Sequence, residues 1–180
     1  MAISPTQIFK RHPECYDEET AALFRSGRDP FAFPGLHFTR ETSESMAINQ
    51  ISGGAVILAG AGMCTGGRVR HHLRHNLGRP QCSVVFVGFA AQGTLARAIV
   101  DGAKTVTIFG DDYPVRAKVH TIGGFSAHAG QAELVAWHRQ TGRPATTFLV
   151  HGEPESMAAL GRLLPGTAVR MPEIGQRFTL

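Results

Sequence analysis

The spacing of apolar and polar positions divides the chain into short elements of changing period. Ser4-Pro5 is an N-cap followed by proline in the first turn, and predicts a helix toward Arg11 that His12-Pro13 interrupts. A second helix is expected over residues 17–24, stopping at Ser26-Gly27. The stretch from Asp29-Pro30 to Pro34-Gly35 is turn-rich, and a short strand (36–39) and a helix (43–49) should follow. The pattern then becomes regular. Ala55-Val56-Ile57-Leu58-Ala59 is a continuous apolar run of the kind found in strands buried on both faces. A glycine-rich loop leads into a helix (68–77), and a second buried strand (83–87) follows. Gly93-Thr94 opens a helix ended by Gly102, and a third strand covers 105–109. Strand, glycine loop, helix, strand, helix, strand predicts an α/β fold with a Rossmann-like parallel sheet and flanking helices.

Past Gly110 the period changes. Val115, Ala117 and Val119 alternate with Arg116, Lys118 and His120, which predicts a half-buried strand, paired as a hairpin with 105–109 through Asp111-Asp112-Tyr113. A helix (131–139), a strand (146–150), a helix (155–164) and short strands at 168–170 and 177–179 complete the expectation. The division is placed at residue 110, giving units of 1–110 and 111–180.

Length and composition narrow the class. A chain of 180 residues can bury a core, and 43% hydrophobic with 18% charged residues is ordinary for a globular protein. Cys15, Cys64 and Cys82 are widely separated and form no C-x-x-C pair, which argues against a cysteine zinc site and a disulfide framework and favours a reducing, cytoplasmic setting. Residues 1–12 hold no apolar signal core, and no run is long enough to span a membrane. The formal charge is only +4, but it is unevenly spread. Residues 1–50 carry five basic and seven acidic groups, 51–110 carry six and one, and 111–180 carry seven and six. Fifteen of the 18 basic residues are Arg, the side chain suited to two-pronged phosphate contacts.

The candidate chemistry sits at junctions between elements. The loop Gly60-Ala61-Gly62-Met63-Cys64-Thr65-Gly66-Gly67 reads as an anion cradle opening a helix, or as an ordinary strand-to-helix turn. It is neither a P-loop nor a G-x-G-x-x-G, so a nucleotide cofactor is disfavoured. Val69, Leu73 and Leu77 share the inward face of the helix that follows, leaving Arg70, His71, Arg74 and His75 on other faces and Arg68 at the mouth. Adjacent His71 and His72 point about 100° apart and cannot chelate one ion; one should pack inward. Gln92-Gly93-Thr94 extends the anion rim or is a plain helix cap. His128, after Phe125-Ser126-Ala127, and His151, 23 residues on at the end of a strand-like run, are candidates for proton transfer or metal ligation, or are structural. Catalytic zinc takes three protein ligands and a water, and no H-x-H-x-D-H or H-E-x-x-H cluster is present, so a metal site made of these residues is incomplete.

The motifs, taken together and in order, resemble the β-CASP branch of the metallo-β-lactamase superfamily, nucleases of RNA processing. The resemblance runs through Gly62-Met63-Cys64-Thr65-Gly66-Gly67-Arg68, His71-His72-Leu73, Phe86-Val87-Gly88-Phe89 and Gln92-Gly93-Thr94-Leu95. It continues in Asp101-Gly102-Ala103, Gly124-Phe125-Ser126-Ala127-His128 and Val150-His151-Gly152-Glu153. It implies that residues 1–110 are the latter part of a β-CASP domain, and that 111–180 return into a partial metallo-β-lactamase αββα segment. It implies that His128 is the general acid beside the scissile phosphate and that His151 is a zinc ligand. Gly66, Gly67, Arg68, His71, Arg74, Gln92, Gly93, Thr94 and Ser126 are expected to line the RNA and phosphate site. Complete members hold two zinc ions. The metallo-β-lactamase half with its remaining ligands would precede residue 1, so zinc should be absent or weak here and the missing half is an expected partner, with RNA. Two residues depart from the pattern: Ala61 stands where many members carry Ser, and Gly130 where many carry Asp. Three functions follow as alternatives: the C-terminal part of a zinc-dependent ribonuclease, inactive alone; a non-catalytic RNA- or phosphate-binding module; or a self-associating piece forming a homodimer through the apolar surface meant for its missing half.

Overall fold

Local signals set most element ends. The computed structural model describes residues 3–179. Helix α1 spans Ile3–Lys10, and α2 spans Glu18–Arg25, where the Asp17 carboxylate accepts the Thr20 N–H at 2.8 Å as an N-cap. The same bond holds the Asp17 carboxyl below its usual range. Tyr16, Phe24 and Phe31 cluster beneath them, with Tyr16 and Phe24 stacked at 5.0 Å. Residues 36–39 form no strand; they lead into α3, Thr42–Ala47, where Glu44 reaches back to the amides of Arg40 and Glu41.

Next come α4 (Val69–Asn76), β1 (Ser83–Phe86), α5 (Leu95–Val100), β2 (Thr105–Ile108), β3 (Asp111–Pro114) and β4 (Lys118–Thr121). The chain finishes with α6 (Gln131–Arg139), β5 (Thr146–Phe148), α7 (Pro154–Gly161) and β6 (Ala168–Arg170). β1 pairs with β4 in parallel, β2 with β3 antiparallel, and β5 with β6 in parallel. The class is α/β as the sequence implies, with parallel pairs flanked by helices. The predicted alternation over 115–120 holds: Ala117 is buried, while Arg116, Lys118 and His120 are exposed.

Further expectations fail. Residues 55–59 are not a buried strand. They pair with no described strand, and Val56 and Leu58 are 89% and 83% exposed. A parallel strand is covered on both faces only when neighbours flank it, and the apolar run alone cannot supply them. For the same reason β1 buries Phe86 yet leaves Val85 open. The hairpin partner of β2 is β3 rather than β4, because the turn lies at Phe109-Gly110, both at positive φ, and not at 111–113. Residues 177–179 are not a strand.

The core gathers Leu73 and Leu77 of α4, Phe86 of β1, Ala96 and Ile99 of α5, Val106 and Ile108 of β2, and Ala117. Leu77 is fully buried, and its carbonyl accepts the N–H groups of both Arg116 and Ala117 at 2.9 Å. It fastens the end of α4 to the segment leading into β4. Around β5 the packing is thinner: Phe148 meets Phe178 edge-on at 4.9 Å, and His138 Nε2, Thr147 Oγ1 and Thr167 Oγ1 form a polar chain. No described helix is long and apolar enough to cross a membrane.

His72 is the inward member of the histidine pair. It is buried against Ser45 of α3, with Nε2 3.1 Å from the Ser45 hydroxyl, and Nδ1 has no partner among the described residues. Burial, with His71, His75 and Arg68 nearby, pushes its pKa down. The folded protein therefore resists a proton that the unfolded chain accepts near pH 6.5, and stability falls as the pH drops through that value. Urea midpoints at pH 7.5 and 5.5 should show the loss, and His72→Gln should shrink it. Equal midpoints for the native chain would refute this. The carboxyls held low, Glu14, Asp17, Asp29 and Glu44, lose their contribution only at more acid pH.

Candidate nucleic-acid interface

The glycine loop is bent by residues that seldom bend. Ala61 and Cys64 both adopt positive φ, 66° and 57°, with Gly67 at 72°. The Cys64 N–H returns to the Ala61 carbonyl at 2.8 Å, and the thiol is buried, which raises its pKa. Left-handed backbone at non-glycine residues costs on the order of 1–3 kcal/mol each, so surrounding contacts must hold it. Met63 supplies two of them. Its carbonyl accepts the Ala96 N–H at 3.2 Å, and its sulfur lies 3.2 Å from the Ala91 amide. The loop carrying Gly66 and Gly67 is thereby stitched to the entry of α5.

At that entry Gly93 has φ 74°. The Thr94 hydroxyl donates to the Ala91 carbonyl at 2.7 Å and accepts the Arg97 N–H at 3.2 Å. Thr94 is thus a helix cap, the plainer of its two sequence readings. The Gln92 N–H donates to Glu153 Oε1 at 3.1 Å. Among the described residues this is the one hydrogen bond tying residues 123–179 to residues 3–110. It brings the loop of His151 against Gln92, and through Met63 to the glycine loop. His151 has φ 63°, and a Cβ on neighbouring Gly152 would meet Met157 Cγ at 2.7 Å, so this corner is both strained and tightly packed.

The basic side chains separate into two groups. Arg68 is not free at the mouth of the loop: its guanidinium donates to the carbonyls of Thr39 at 2.8 Å and Arg40 at 2.6 Å, tethering the connector before α3. Arg70, His71 and Arg74 lean instead on the β2–β3 hairpin. Arg70 Cζ lies 4.2 Å from the Phe109 ring centroid, the His71 ring 4.6 Å from the same centroid, and Arg74 Cζ 5.9 Å from that of Tyr113. None of the three has an ion-pair partner among the described residues, and α4 holds no acidic residue.

His128 lies on an exposed loop with Ser126; its N–H approaches the Ser126 hydroxyl at 3.4 Å. Gly130 cannot cap α6 with a side chain, and Glu133 reaches back to the Gly130 N–H at 2.6 Å. No hydrogen bond or ring contact among the described residues links His128 to His151. Nor do the described residues include any group of three or more His, Cys, Asp or Glu able to hold a metal ion. His151 with its neighbours does not fit a complete zinc site, which needs three protein ligands. The sequence reading missed Phe109, Tyr113 and Glu153. An x-Gly pair immediately before Asp111 was the available sign of the hairpin turn; Glu153 left no local sign, because its partner is 61 residues away.

Residues 1–99 match the Beta-Casp domain, and residues 112–172 match the Zn-dependent metallo-hydrolase RNA specificity domain. Ribonuclease TTHA0252 of Thermus thermophilus is 43% identical over 178 residues, covering 98% of this chain and 41% of that protein. Transcription termination factor FttA of Pyrococcus abyssi is 31% identical over 157 residues, and that of Thermococcus kodakarensis is 32% identical over 155. These cover 83% and 82% of this chain, and 24% of each factor. The chain thus spans less than half the length of the relatives it matches.

Proposed function

The chain belongs to the β-CASP branch of the metallo-β-lactamase RNA-processing hydrolases, and from that premise we propose that it supplies the RNA-contacting part of a zinc-dependent ribonuclease. The observation that carries this is the Gln92–Glu153 bond, which gathers the glycine loop, the Gln92-Gly93-Thr94 turn and the His151 corner on one side of the fold. Arg70, His71 and Arg74 bind phosphates by charge. Backbone amides near Gly66, Gly67 and Gly93, with the Ser126 hydroxyl, orient the strand, while the Gln92 N–H is held by Glu153. His128, on an exposed loop, protonates the leaving oxygen. His151 would contribute one imidazole to a zinc centre whose other ligands lie outside the described residues, and a metallo-β-lactamase half would be the partner that brings them. Residues 1–110 form the β-CASP share and 111–180 the returning segment.

This reading expects the isolated chain to hold well under one zinc and to leave RNA uncut. Metal analysis after dialysis, with a cleavage assay in added zinc, checks both; stoichiometric retained zinc would overturn it. A second reading, a non-catalytic RNA- or phosphate-binding module, draws support from α4, where Arg70, His71 and Arg74 lie with no acidic residue. Homodimer formation draws support from the exposed apolar run at Val56 and Leu58.

A further inference from the structure

We propose that Phe109, with Arg70 and His71 packed against it, forms a platform for an unpaired base of single-stranded RNA. The inference rests on the reading of the chain as RNA-contacting and adds a base-binding residue to it. Phe109 occupies the first position of a two-residue turn joining β2 to β3, with φ 58°, followed by Gly110 at φ 92°. That turn favours Asn, Asp or Gly, because a left-handed backbone crowds a Cβ, and a bulky residue there is an outlier. Core burial does not account for its presence. Ile108 beside it is fully buried, whereas Phe109 is 43% exposed.

What the ring touches is also unusual. Arg70 Cζ sits 4.2 Å from its centroid and the His71 ring sits 4.6 Å away, tilted by 35°. Three flat groups are therefore clustered on the surface, two of them able to carry positive charge. Neither the Arg70 nor the His71 side chain makes a hydrogen bond or ion pair among the described residues. Holding the guanidinium against an aromatic ring fixes its plane while leaving its N–H groups free for phosphate. A base adds to such a cluster through its π-face, which every base possesses, so the contact tolerates sequence. Arg74, four residues along the same helix, continues the positive track beside Tyr113.

The test is Phe109→Asn, which suits the turn and removes the ring. Affinities of the native and variant chains are measured for a short oligouridylate and for an abasic oligomer with the same number of phosphates. The native chain should prefer the base-bearing oligomer by about tenfold. The variant should lose most of the preference, bind the abasic oligomer no more than about threefold more weakly as Arg70 loses its brace, and unfold at or above the native temperature. A variant that keeps the preference overturns the platform. So does a variant that unfolds at lower temperature and loses both oligomers, since the ring would then serve folding. A native chain that binds both oligomers equally refutes the platform alone; one that binds neither refutes the RNA reading as well.

Discussion

Replacing Arg70 and Arg74 together by alanine should lower affinity for single-stranded RNA by about one to two orders of magnitude at low salt, and flatten the slope of log K against log salt by about 1.4. The slope change follows from counterion release, roughly 0.7 per phosphate contact on a single strand. Two features make these residues the strongest test. They lie in the stretch where six basic residues face one acidic residue, and neither is neutralised by an ion pair among the described residues. Both are also braced by hairpin rings, so little side-chain freedom is lost on binding. Arg68→Ala is the informative comparison. Its guanidinium holds the carbonyls of Thr39 and Arg40, so its loss should loosen the connector and leave the salt slope nearer the native value. Fluorescence anisotropy titrations across a salt series measure all three slopes. A double variant with an unchanged slope would remove α4 from the interface.

Leu77→Ala should cost about 2–5 kcal/mol and lower the unfolding temperature by roughly 5–15 °C. Leu77 is fully buried, and lies where α4 meets the segment entering β4. The substitution leaves its carbonyl bonds to Arg116 and Ala117 in place, so the loss reports side-chain packing and the cavity left behind. Leu163→Ala serves as the control, since that side chain is 43% exposed and should change stability by less than about 1 kcal/mol. Thermal unfolding followed by circular dichroism reads both. A Leu77 variant as stable as the control would mean that the α4–β4 junction does not hold the core.

The ends of the helices were legible because each signal is local. Asp17 caps α2, Thr94 caps α5, and α6 spans the predicted 131–139. The His71-His72 pair was legible in the same way: helical geometry forbids joint chelation, and His72 does turn inward. Arg68 shows where that reasoning stops. A basic residue at a loop mouth looks free to meet phosphate, until the chain folds two carbonyls from 28 and 29 residues earlier against it.

What the sequence determined by itself was the α/β class, the order of elements and the motif set that marks the family, because caps, turns and hydrophobic period act over a few residues. Tertiary structure alone decided that 55–59 stands unpaired, that β2 turns back at Phe109, and that Glu153 meets Gln92. Each of these depends on what lies beside a segment in space. An apolar run records that a strand would favour burial, while pairing and cover are contributed by chain far away in sequence.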